Sequence, residues 1–336
     1  MPPQHHMKVE PKKSKRIKRP KPINILVPTD FSRNAAEALR FAVPLARQLG
    51  GKITLLHAID LEVISGMLSA IRIINAMNKS ANEDAAHRLD KLARTTVPPE
   101  LLEKKVVRFA PPHVGIPETA RELKMDLIVI STQGRTGLQH VLLGSTAARV
   151  VRHASCPVLT VRPVAGARVP GPKAAGLGPI IKRILVPVVF SEECDSSIRF
   201  ATTLARMMQA RLTLLHVVAP LPHNYTKYIV EIQQYDAEAK LEAEQKLKAL
   251  AATVPQDIKT QVLLRQDTPH RGIINAARQD RCDLIALRTR GLKGLKNYIL
   301  GSTAEKVVRH ALCPVLTFNR HLTASEKVSR SRLGTP

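Results

Sequence analysis

The chain has 336 residues, of which 44% are apolar and 3% aromatic, and its 52 Lys and Arg outnumber 27 Asp and Glu to leave a net charge of +25. That length accommodates two domains, and that apolar content excludes a globally disordered chain. Four cysteines with no C-x-x-C pair and no zinc-type His/Cys spacing argue against a disulfide scaffold or a zinc module.

Residues 1–22 carry eight Lys and Arg against one Glu and read as a disordered basic tail. Ile23 to Pro28 is a continuous apolar run, as in a strand buried on both faces. Ser32 or Asp30 caps the helix that starts near Arg33 and runs to about Leu49, with Pro44 inside it as a kink site. Lys52 to Ile59 is the second strand, and residues 65–94 read mostly as helix. Lys104 to Ala110 is a third strand. Pro111 to Pro117 reads as a turn, followed by a short helix from Ile116 or Glu118 to Lys124. Asp126 to Ser131 is a fourth strand. A glycine loop with Gly134, Gly137 and Gly144 follows, then a helix from Ser145 to His153 and a fifth strand from Pro157 to Arg162.

Residues 163–179 are rich in Pro, Gly and Ala and form a linker. The pattern then restarts at Ile180. Residues 25–57 and 184–216 share 16 of 33 positions, and 134–162 and 291–319 share 18 of 29. Two homologous domains, 23–162 and 180–319, explain this. The second has a long helix from Tyr228 to Ala252 and a fourth strand from Asp283 to Arg288. Residues 320–336 are a second tail. Strands alternating with helices predict an α/β class: two doubly wound domains, each with a five-stranded parallel sheet of order 3-2-1-4-5.

In such a sheet the ligand site lies beyond the strand ends at the switch point, which opposes Pro28, Thr29 and Asp30 to Ser131 and Gly134. Glycine loops that open helices cradle phosphates, and a carboxylate at a strand end suits sugar hydroxyls. Asp30 alone serves equally as a helix cap, and Gly134 and Gly137 alone as a tight turn. Neither the P-loop nor the dinucleotide glycine pattern follows the first strand, so those enzyme classes are unsupported. No nucleophile–base pair is visible. The matched histidines His57 and His216, and His153 and His310, read as structural. Cys156 and Cys313 read as small buried residues at strand entries. No apolar run spans a membrane and the N-terminus lacks the apolar core of a signal peptide, so the expected location is cytoplasmic.

The stretches ILVPTDFS at 25–32, ITLLHAI at 53–59, DLIVISTQGRTGLQHVLLGST at 126–146 and VVRHASCPVL at 150–159, with their second copies, resemble a tandem universal stress protein with two UspA-type domains. The family's ATP-binding members carry G-x2-G-x9-G-[ST] after strand four. The resemblance implies adenine-nucleotide (ATP or AMP) binding, with Mg²⁺ as a companion, at Pro28, Thr29, Asp30, Ala58, Ile130, Ser131, Gln133, Gly134, Gly144, Ser145 and Thr146. Ser131 stands where the first glycine would be. In the second copy Arg288 takes that place and Val188-Val189 replaces Thr29-Asp30, so Arg288, Gly291, Gly301, Ser302 and Thr303 make a degenerate site. Arg288 would fill the pocket, bind a phosphate or reach an acid of the other domain.

The resemblance further implies a stress-response regulator, not an enzyme beyond a slow ATPase. The domains are expected to pair as an intramolecular pseudo-dimer through the edge strands Val158 to Val161 and Val315 to Phe318, with a homo-oligomer open. The alternative is a nucleotide-independent scaffold whose basic tail holds RNA, DNA or another polyanion through weak, sequence-blind contact.

Overall fold

A computed structural model describes residues 23–60, 71–133, 143–162, 181–191, 194–220, 229–289 and 300–318. The first repeat runs β1 (Asn24–Pro28), α1 (Arg33–Gln48), β2 (Lys52–Ile59), α2 (Ile71–Thr96), β3 (Leu102–Phe109), α3 (Pro112–Glu122), β4 (Leu127–Ser131), α4 (Ser145–His153) and β5 (Val158–Val161). The second runs β6 (Arg183–Pro187), α5 (Cys194–Met208), β7 (Arg211–Val218), α6 (Ile229–Ala252), β8 (Thr260–Gln266), α7 (Pro269–Gln279), β9 (Leu284–Arg288), α8 (Ser302–His310) and β10 (Val315–Phe318). The linker and both tails lie outside the described residues.

Each repeat is a parallel sheet, β3-β2-β1-β4-β5 and β8-β7-β6-β9-β10. Ile25, Leu26 and Val27 are fully buried because helices cover both faces. Side chains alternate across the strand, so Ile25 and Val27 join the layer under α1, α2, α5 and α6, while Leu26 joins the layer under α3, α4, α7 and α8. Helix α1 sends Ala38, Leu39, Ala42, Leu45 and Ala46 into the first layer. Each large side chain buried there contributes about 1.5–3 kcal/mol. The helix runs unbroken across Pro44.

The edge strands β5 and β10 pair antiparallel, so the two sheets become one sheet of ten strands. Val315 faces Thr160 and Thr317 faces Val158. The hydroxyls of Thr160 and Thr317 donate to the carbonyls of Val315 and Val158, both at 3.1 Å. Phe200 stacks on Phe318 at 4.1 Å, and the Gln48 amide donates to the carbonyls of Ile181 and Met208 at 3.1 and 2.9 Å.

One helix starts well before its expectation. Helix α3 begins at Pro112, inside the stretch that reads as a turn. Proline fits the first helical position, where no N–H is needed. Gly115 lets the helix close on β2 and β3: an added Cβ would sit 3.2 Å from Ala110 Cβ and 3.8 Å from Ala58 Cβ.

Candidate functional site

The first wall is the turn after β1. The Thr29 N–H donates to the Leu56 carbonyl at 2.8 Å, which keeps the end of β1 tied to β2. Thr29 Oγ1 accepts from the Phe31 N–H at 3.0 Å, and Asp30 Oδ1 accepts from the Ser32 N–H at 2.9 Å. Ser32 Oγ then accepts from the Ala35 N–H at 3.1 Å, so Ser32 is the cap of α1 and Asp30 braces the turn. The turn forces Phe31 to a left-handed φ of 62°. A bulky residue there costs about 1–2 kcal/mol. Two contacts with its ring offset this: His57 lies 4.5 Å away between centroids, and the Arg88 guanidinium sits 4.1 Å over it.

The second wall is the end of β4 with the start of α4. The Thr132 N–H donates to the Val161 carbonyl at 3.0 Å, and the Thr132 carbonyl accepts from the Gly144 N–H at 2.7 Å. That pair of bonds pins the helix start beside the strand end. Gly144 is the cap residue of α4 and has no side chain to cap it, so among the described residues the first N–H groups are left to the positive end of the helix dipole. Ser131 Oγ accepts from the Gln133 N–H at 3.2 Å, which turns the serine back onto its own loop. Thr132 is 1% exposed, and among the described residues its hydroxyl has no hydrogen-bond partner. An orphaned buried hydroxyl costs about 1–3 kcal/mol.

Between these walls lies a cleft of about 580 Å³. Pro28, Ala58, Ile116, Ile130 and Ala147 give it an apolar lining. Asp30 and Asp60 stand at the ends of β1 and β2, and Gly144, Ser145 and Thr146 at the start of α4. Thr29, Ser131 and Gln133 line it too, so ten of the eleven residues expected in the first site share one cleft. The eleventh, Gly134, lies outside the described residues, as does Gly137. Sequence reasoning missed Asp60, Thr132, Pro112 and Ile116 as lining residues, and His57, read as structural, lines the cleft as well. Asp60 follows β2 as Asp30 follows β1, and that parallel was available. Pro112 and Ile116 were hidden by the misread turn.

The second repeat keeps the frame and changes the lining. His216 Nδ1 bonds the Val188 carbonyl at 3.0 Å, its ring lies 4.3 Å from Phe190, and Lys246 sits 5.8 Å over that phenyl ring. The Gly301 N–H donates to the Thr289 carbonyl at 2.8 Å, and Ser302 and Thr303 open α8. Asp30 and Asp60, however, correspond to Val189 and Ala219, and Ala58 to Val217. Val217 Cγ1 lies only 2.7 Å from where a Cβ on Gly272 would sit, so the valine packs into the close approach of α7.

Arg288 ends β9 half-buried. Its charge acts on Cys194, the counterpart of the cleft residue Ala35, opposing the upward push of burial and Asp195 on that thiol. The Thr289 hydroxyl, unlike that of Thr132, donates to the Phe318 carbonyl at 3.4 Å. Gly291 lies outside the described residues.

The model of the universal stress protein family matches residues 23–162 and again 181–319. The chain belongs to the universal stress protein family. Its curated relatives include the universal stress protein MJ0531 of Methanocaldococcus jannaschii, 32% identical over 143 residues that make up 41% of this chain and 81% of the relative. A universal stress protein of Thermus aquaticus is 33% identical over 138 residues, 41% of this chain and 98% of the relative. The structure of a universal stress protein from Archaeoglobus fulgidus covers 88% of this chain and 96% of its own, with a TM-score of 0.57 and 21% identity, a likeness of fold.

The remaining chemistry of this universal stress protein is sparse. Among the described residues no three His, Cys, Asp or Glu converge as a metal would require, and no helix is long and apolar enough to cross a membrane. Burial pushes the thiols of Cys156 and Cys313 up to about 12 and that of Cys282 up to about 11, which makes them poor nucleophiles. Cys156 is buried, as its sequence position predicts, whereas Cys313 is only partly so. His153 and His310 are exposed on α4 and α8, and so are not packed core residues.

Proposed function

We propose that this universal stress protein binds an adenine nucleotide, ATP or AMP, in the cleft of its first repeat, and that the second repeat is a degenerate copy. The observation that carries the reading is the convergence on one cleft of a helix start and a buried hydroxyl, both without a side-chain partner among the described residues, and a strand-end carboxylate. Phosphates fit the N–H groups at Ser145 and Thr146, and Asp30 and Asp60 can accept from ribose hydroxyls. The apolar lining at Ala58 and Ile116 fits the base. Mg²⁺, where it accompanies the nucleotide, would be held chiefly by phosphate oxygens. The reading is of a cytoplasmic stress-response regulator that senses nucleotide, with turnover slow at most. Its two repeats act as an intramolecular pseudo-dimer across the β5–β10 seam.

Calorimetry of the full chain with ATP and with AMP tests this. One site per chain is expected, weakened at least tenfold in Asp30→Ala through loss of a charged hydrogen-bond acceptor. Absence of heat from folded protein overturns the reading.

A further inference from the structure

The ten-stranded sheet makes α3, α4, α7 and α8 one layer shared by both repeats. Helices α4 and α8 flank the β5–β10 seam, and each buries an Ala-Val-Val stripe in the same apolar layer: Ala147, Val150 and Val151, and Ala304, Val307 and Val308. The helical period then fixes what faces solvent. On α4 it is Arg149, Arg152 and His153, and on α8 it is Lys306, Arg309 and His310, at the same repeat positions and all exposed.

Among the described residues, acids offset this face only in part. Helix α4 has none, and the one on α8, Glu305, is held by Arg309 at 3.0 Å. On α3, Glu118 and Glu122 turn to Arg108 of β3, at 2.9 and 2.7 Å. Charge also reaches across the seam. His310 feels Arg309 and Lys306 of its own helix, Arg162 at the end of β5 in the other repeat, and His270 of α7. A cation in the last turn of each helix complements the dipole. Arg149 and Lys306, a turn earlier, gain nothing from that effect.

We propose that the α4–α8 face binds the phosphate backbone of double-stranded nucleic acid. The proposal stands apart from the nucleotide cleft. Clustered cations that raise each other's energy are relieved by a dispersed anion. The antiparallel seam relates the two basic stripes by an approximate two-fold, matching the local two-fold of a duplex. Neither α4 nor α8 has an aromatic residue for stacking unpaired bases. Within α4 and α8 no large apolar side chain is exposed to enter a lipid surface, and just beyond α8 only Leu312 is, at 54%.

The test is fluorescence anisotropy of the full chain with a labelled DNA duplex of about twenty base pairs across a salt series. Binding should weaken steeply with salt. The double variant Arg152→Glu/Arg309→Glu, shown folded by circular dichroism, should bind about tenfold more weakly or worse, with a salt slope shallower by about two. The pair Lys91→Glu/Arg94→Glu, on α2 of the opposite face, makes the same charge change and should bind nearly as the parent does. Equal loss in both double variants overturns the proposal, since net charge would then explain it. So does loss of all binding on deleting residues 1–22 while the α4–α8 variant retains it. Vesicles of anionic lipid that bind as tightly as the duplex, with the same dependence on Arg152 and Arg309, would also overturn it.

Discussion

His57 holds the carbonyl oxygen of Thr29 from Nδ1 at 2.7 Å. A carbonyl only accepts, so Nδ1 carries the proton. The bond fixes the peptide that places Asp30 at the mouth of the cleft, and the second repeat copies it with His216 and Val188 at 3.0 Å. The frame is thus structural in both repeats, and in the first it is also the hinge of the site. His57→Leu and His216→Leu should each cost about 1–2 kcal/mol in thermal unfolding, the worth of a partly buried hydrogen bond. Only His57→Leu should weaken ATP binding. If both leave ATP affinity at the parent value, His57 does not position Asp30.

The strands were legible because burial on both faces writes them as unbroken apolar runs, and 126–131 and 283–288 miss the observed β4 and β9 by one residue each. Asp126 drops out of its strand because its carboxylate accepts from the Asn24 N–H at 2.8 Å, a bond that no local pattern announces. The start of α3 was illegible for the opposite reason: Pro111, Pro112, Gly115 and Pro117 are turn residues by composition. Only tertiary contact shows that Pro112 begins a helix and that Gly115 permits its approach to β2. At the site, strand ends and glycines can be found by rule, whereas the isolation of the Thr132 hydroxyl exists only in three dimensions.

Thr132→Val removes that hydroxyl while keeping its shape. Without ligand the variant should be more stable by about 1 kcal/mol, because a buried polar group without a partner is gone. With ATP it should bind more weakly. The counterpart Thr289→Val loses a bond at 3.4 Å and should be neutral or slightly destabilised. Differential scanning fluorimetry with and without ATP separates these outcomes. A stability loss in Thr132→Val would mean that the hydroxyl has a partner within the protein.

Ala58 and its counterpart Val217 differ in how closely they meet the helix that packs on them. Ala58→Val should cut ATP affinity without unfolding the chain, since its neighbour Gly115 still leaves room: a Cβ there would lie 3.8 Å from Ala58 Cβ. Gly272→Ala meets Val217 Cγ1 at 2.7 Å and should cost about 1–3 kcal/mol by overpacking. Val217→Ala should relieve most of that cost in the double variant. Gly115→Ala, whose nearest contact is 3.2 Å, should cost less. Urea unfolding midpoints of the four variants check the order.

His310 contributes a pH dependence. Burial, then Arg309, Arg162, His270 and Lys306, hold its imidazole below the ordinary value of 6.5. In the unfolded chain those cations disperse, so between the two values the unfolded state binds more protons and stability rises with pH. The contribution costs nothing well above 6.5, and destabilisation sets in as pH falls through that value towards the depressed folded one. The thermal midpoint should therefore fall between about pH 8 and pH 5.5, and His310→Gln should flatten part of that slope. A bound duplex places phosphates beside the same imidazole and should favour its charged form. The slope of the complex should then be shallower than that of the free protein. An unchanged slope in His310→Gln would show that burial and the neighbouring cations do not hold the ring below its ordinary value.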